Sequence, residues 1–158
     1  MHRTSTITER REAIRHNQNE LLYQGVKYSA AGSLLASTVA VYVFGPLASS
    51  PVAVGFWFVL LYTIYLARAF DCRLFKQSQN SQKNVDHWAL RFNIGALLSA
   101  AAWASSMWLI YPHSDLAHQV LLVLTLGGVA GGALASLPYD TKLSNAFQLL
   151  IFLSLIHI

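Results

Sequence analysis

The run from Tyr28 to Leu47 contains no charged side chain over twenty residues. That is about the length an α-helix needs to cross a 30 Å hydrocarbon core. No other feature limits the chain so strongly, because a segment that lies in lipid must satisfy every backbone N–H and C=O within itself, as a helix does. Four further apolar runs follow, at about 51–70, 93–111, 115–137 and 143–158. Only 11% of the 158 residues are charged and 54% are hydrophobic, whereas a soluble domain has roughly 25% charged residues with which to cover its surface. The expected fold is therefore all-α: a polytopic transmembrane helix bundle with about five spans present and a sixth missing beyond the C-terminus.

The polar residues fall between these runs. Residues 1–27 form a basic N-terminal segment with Ile7, Ile14 and Leu21 seven apart and a capping-box pattern from Thr6 to Glu9, which suits either a short amphipathic helix or a solvated lead-in. Because about 27 residues precede the first apolar run and that run is long enough to span, it reads as an uncleaved anchor and not as a signal peptide. Pro46 and Pro51 mark the first turn. Arg68 and Asp71, three apart at the end of the second span, are expected to pair at headgroup level. Residues 71–92 supply the long polar connection, with turn-prone residues from Ser78 to Asn84.

Small residues dominate the later spans. Gly95, Ser99 and the alanines around them lie in the third, and Gly127, Gly128, Gly131 and Gly132 in the fourth. These six positions are the candidate helix-packing residues, since small side chains let neighbouring backbones approach closely in lipid. Trp57, Trp88, Trp108 and Tyr111 are expected to anchor the membrane interfaces.

Chemistry is harder to find. The span interiors lack Asp, Glu, Lys and Arg, the residues that ion-coupled transporters and intramembrane enzymes place there. Their mild polar groups, among them Ser37, Thr38, Thr63, Ser99, Ser105, Thr125 and Gln148, are expected to bond back to their own helix or to a neighbour. His113 and His118 flank Asp115 without the spacing of a metal site. The single cysteine, Cys72, excludes an internal disulfide and reads as a small apolar residue. No catalytic residue and no metal site is expected, no cofactor is called for, and any ligand is unknown. The net charge of +4 does not imply nucleic acid as a partner, because the basic residues lie beside the spans and not along one polar face. The lipid bilayer is the partner that the composition implies.

From Trp88 onward, Arg91–Phe92, Gly95, Trp103, Pro112, Gln119 with Leu121–Leu122, Gly127 to Ala135 and Pro138 form a pattern. It resembles the polytopic N-terminal sensor region of bacterial hybrid histidine kinases and GGDEF-type diguanylate cyclases. The resemblance implies a bacterial inner-membrane location, a homodimer formed through the full-length protein, and a role in sensing or in tethering PAS, kinase or cyclase domains placed downstream. It implies no binding residue. A fragment of a small transporter or permease is the alternative, and a structural anchor a third reading. Residues 28–152 make up the expected sensor-type bundle. The last six residues, 153–158, read Leu-Ser-Leu-Ile-His-Ile, which looks like the translation of a transposase end sequence used in library preparation. They are expected to be a non-native tail, so His157 is set aside.

Orientation follows from the basic residues, which gather on the cytoplasmic side. Arg3, Arg10, Arg11, Arg15 and Lys27 precede the first span, and Arg73, Lys76, Lys83 and Arg91 follow the second, while the connections after spans one and three have none. A reporter fused after Asn80 should therefore be active only as a cytoplasmic reporter, and one fused after Ser49 or Ser114 only as an exported one. The opposite pattern would reverse the topology.

Overall fold

The computed structural model describes residues 2–48, 50–78, 85–111, 115–137 and 140–156; of residues 2–13, 15, 16 and 85 it describes the backbone only. Among the described residues there is no strand. The helices are α1 (His2–Phe44), α2 (Pro51–Ser78), α3 (Val85–Ala104), α4 (Ser106–Leu109), α5 (Leu116–Ser136) and α6 (Thr141–Leu155).

Three of these are long and apolar enough to cross a membrane: Asn17–Leu47, Pro51–Ser78 and Leu116–Ser136. This is a membrane protein with transmembrane helices. α3 and α6 fall short of that standard for separate reasons. α3 begins at Val85, within the polar stretch, and breaks at Ser105, so its apolar part is short. α6 is regular for only 15 residues.

Helix α1 departs from the sequence reading. It continues through residue 28 without a break, so the basic segment and the first span are one helix of 43 residues. The lead-in is not free of the bundle either. Asn19, Leu22, Tyr23 and Val26 are all at most 5% exposed. Alternation along the helix explains this, since buried positions at 19, 22, 23 and 26 follow the three-and-four spacing of one helical face. The side chains of the capping-box residues Thr6 and Glu9 lie outside the described residues. A 3₁₀ turn, Gly45–Leu47, ends α1, with Pro46 in its first positions. Pro51 opens α2, where its missing N–H has no helical partner to lose.

Around the bundle the neighbours run α1, α2, α3, α6, α5 and back to α1, with α1 and α3 also touching across the middle. Two aromatic groups hold this ring. At the end that carries Arg91, Tyr23 stacks on Phe75 with ring centroids 4.2 Å apart. Trp88 and Phe92 meet Tyr23 edge-on at 6.2 and 5.3 Å, and the Tyr23 hydroxyl donates to the Trp88 carbonyl at 3.2 Å. Helices α1, α2 and α3 are thus joined at one level.

The second group is Trp57 with Trp103, edge-on at 5.5 Å and both fully buried. Trp57 was expected at an interface. It is a core residue instead, and its indole N–H donates to the Ala102 carbonyl at 2.7 Å. That carbonyl also accepts from the Ser105 hydroxyl at 2.8 Å. The contact lies where α3 gives way to α4, and a carbonyl at a helix end needs a partner from outside the helix. The Trp103 indole in turn donates to the Tyr65 hydroxyl at 3.2 Å. Trp108, 68% exposed, is on the outside of the bundle.

Mild polar groups in the spans close on their own helices. Ser37 and Thr38 donate to the Leu34 carbonyl, Thr63 to Val59 and Thr125 to Leu121, all within 2.9 Å. Gln148 crosses from α6 to the Ala130 carbonyl of α5 at 2.7 Å. Trp57→Phe keeps the ring but deletes the donor to Ala102, and should cost about 1 kcal/mol. Trp57→Ala should cost about 3–5 kcal/mol by opening a cavity. Thermal unfolding in detergent micelles measures both, and a Trp57→Phe protein as stable as the parent would remove the hydrogen bond from the account.

Candidate functional site

The expected Arg68–Asp71 pair does not form. Asp71 is ion-paired instead with Arg91 across the α2–α3 contact, and Arg91 also lies over the Trp88 ring, 5.3 Å from its centroid. Both pairings place the Arg91 charge at the end of the bundle, where Asp71 is engaged with it and not with Arg68.

Arg68 turns into the bundle. Its stem crosses Gly95 so closely that a Cβ on Gly95 would stand 3.1 Å from Arg68 Cγ and 3.4 Å from Cδ. The guanidinium then donates through Nη1 to the Ser99 hydroxyl at 3.2 Å, and Ser99 donates onward to the Gly95 carbonyl at 2.8 Å. The charge is held 5.5 Å from the Phe92 ring centroid and 6.0 Å from that of Tyr65. Among the described residues no carboxylate is within 4.0 Å of it. Sequence reasoning placed Arg68 at the edge of a span because hydropathy shows where a charge falls along a helix and not which face it takes. The missed signal was the spacing of Gly95 and Ser99, which puts a gap and a hydroxyl acceptor on one face of α3.

Gly95 and Ser99 therefore stand on a closely packed face, with Ser99 fully buried. The α5 glycines behave otherwise. Among the described residues a Cβ on Gly127, Gly128, Gly131 or Gly132 would meet nothing within 4 Å, so the close seam expected at these positions does not form among them. The buried face of α5 is Leu122, Leu126, Ala130 and Ala133, which share a helical side, and the glycines fall on the other one. Two of them, Gly128 and Gly132, instead form one wall of a groove of about 650 Å³. The facing wall comes from α1 with Gly25, Ser29, Gly32, Ser33 and Ala36, and Tyr65, Arg68 and Ala96 lie between the walls.

Asp115 and His118, singled out in the sequence, form a helix cap. The Asp115 carboxylate accepts from the Ala117 amide at 2.9 Å and meets His118 Nδ1 at 2.6 Å. The hydrogen bond with His118, helped by the one from Ala117, holds the Asp115 carboxyl below the usual carboxylate range. His118 is also edge-on to Phe44 at 6.2 Å. His113 and Pro112 lie outside the described residues, as do Pro138 and His157. Among the described residues no group of three or more His, Cys, Asp or Glu could hold a metal. Cys72 is buried, with its thiol 3.5 Å from the Tyr23 carbonyl.

No family model, curated protein or solved structure matches this chain. The site is thus characterised by its geometry: one cation with a single serine contact, set in the wall of an otherwise mild, small-residue groove.

Gly95→Leu should force Arg68 off α3 and destabilise the protein by about 1–3 kcal/mol, the cost of overpacking, whereas Gly128→Leu should be close to neutral. Apparent melting temperatures in detergent provide the comparison. A larger loss at Gly128 would place the tight seam back on α5.

Proposed function

We propose that this chain is the membrane-embedded sensory or anchoring module of a bacterial signal-transduction protein, a two-component histidine kinase or a cyclic-di-GMP enzyme, and performs no catalysis itself. One observation carries the reading. The groove is lined by one wall of α1 and by Tyr65 and Arg68 of α2, and both helices run on without interruption well past it, to His2 and Ser78. A change in the groove therefore moves rods that reach beyond the apolar region, which is how a packed bundle passes a helix shift to a distant domain.

In this reading the module sits in the bacterial plasma membrane as a multi-pass bundle with its N-terminus in the cytoplasm. The basic residues of α1 and of the polar stretch 71–92 support that orientation. It works as a homodimer through the full-length protein, and an output domain follows a further span. The sequence pattern from Trp88 to Pro138 supports the family.

The rival is a fragment of a transporter or permease, which Arg68 favours, because an intramembrane charge is a substrate contact in such proteins. The two readings separate in the product of the intact gene. Under the sensory reading it contains a cytoplasmic kinase or cyclase domain, and Arg68→Gln changes that domain's phosphorylation or cyclic-di-GMP output by severalfold at equal membrane abundance. A gene product with no cytoplasmic output domain, or an output indifferent to Arg68→Gln and to Gly32→Leu alike, would overturn it.

A further inference from the structure

The level of Arg68 along the groove is fixed by its neighbours on α2. Cys72 reaches the Tyr23 carbonyl and the Tyr62 hydroxyl meets Thr38 at 2.9 Å. Arg68 lies between Tyr62 and Cys72, so it stands opposite the stretch of α1 between Tyr23 and Thr38, about midway along the wall from Gly25 to Ala36. Arg68 thus lines the groove within its length and not at its end.

A cation in that position is costly in an apolar bundle, and natural bundles offset the cost with a counter-charge. The described residues offer none: Asp71 is bound to Arg91, and the groove lining contains no Asp or Glu. Ser99 accepts one hydrogen bond from Nη1, which leaves most of the five guanidinium N–H donors for another acceptor. The rest of the lining is small, apolar or mildly polar, and Gly32, Gly128 and Gly132 leave open space where side chains would otherwise stand. The volume of about 650 Å³ lies in the range of small-molecule sites, about 300–1,000 Å³.

We infer that this groove binds a single-chain amphiphile with one negative charge, a fatty carboxylate, whose head is clamped by Arg68 and whose tail lies between α1 and α5. Charge selects the head. Guanidinium and carboxylate match as a planar two-bond pair with one charge each, while a phosphate monoester would bring about −1.5 to −2 against a lining that holds no second Lys or Arg. Space selects the tail, since most of the residues facing each other across the groove from α1 and α5 are glycine, serine and alanine. The signalling consequence rests on the sensory reading above, but binding does not.

The test uses the full chain in phosphatidylcholine nanodiscs and three photoactivatable probes with the same alkyl chain: a carboxylate, the matching alcohol and the matching phosphate monoester. The carboxylate should label peptides from 25–36 and 125–136 saturably, about tenfold more efficiently than the alcohol, the worth of a charge-assisted contact, and more than the phosphate. Arg68→Gln should abolish the preference for carboxylate over alcohol, and Arg68→Lys should retain part of it. Gly32→Leu, which meets no neighbour and so should fold, should block all three probes. Equal labelling by acid and alcohol, a preference that survives Arg68→Gln, stronger phosphate labelling, or cross-linking of Gly32→Cys to a second copy in place of labelling would each overturn the inference. Labelling without any change in output would count against the sensory reading and leave the site intact. An output that still responds to Arg68→Gln in an unlabelled chain would do the reverse.

Discussion

The contact of Arg68 with Gly95 decides how closely α2 and α3 can approach. A long charged side chain can lie flat between two helices only where one of them gives up its side chain, and at Gly95 α3 does so. The Ser99 hydroxyl one turn further along then gives the guanidinium an acceptor. With a bulky residue at 95 the arginine would have to swing toward lipid or toward the bundle end, and the groove would lose its charge. The Asp71–Arg91 pair completes this arrangement by using the nearest carboxylate elsewhere.

What holds the remaining helices together follows from the solvent. Lipid tails are as apolar as leucine, so burying leucine against leucine gains little, and association has to come from close packing and from polar contacts between helices. This chain uses aromatic side chains for both. Trp57 and Trp103 meet edge-on, Trp57 donating to the Ala102 carbonyl and Trp103 to the Tyr65 hydroxyl, and Tyr23 joins three helices through ring contacts and one hydroxyl. Indole and phenol are suited to this, having large flat faces and one donor each.

The sequence shows the helical class and the membrane character clearly, because length and the absence of charge are sufficient for both. It also shows that serine and threonine hydroxyls close on their own helices. It is poor at faces. The α5 glycines looked like a packing seam, yet the apolar positions Leu122, Leu126 and Ala130 are the ones that turn inward. A pattern of small residues shows where a helix can be approached and says nothing about whether anything approaches it. Arg68 and Trp57 were misplaced for a related cause. Both were assigned by their position along a span, while their partners, Ser99 and Ala102, lie on another helix 31 and 45 residues away. The start of α1's buried face at Asn19 was hidden by the polar residues that share that stretch.

Helix α1 has 43 residues, so at about 1.5 Å per residue it is roughly 65 Å long, about twice the thickness of the hydrocarbon it enters. Such a rod acts as a lever with its fulcrum at the Tyr23 stack. A tilt of about 5° within the span would carry the far end near His2 through about 3 Å, by the same rise per residue. That is enough to change which residues of a neighbouring helix it meets.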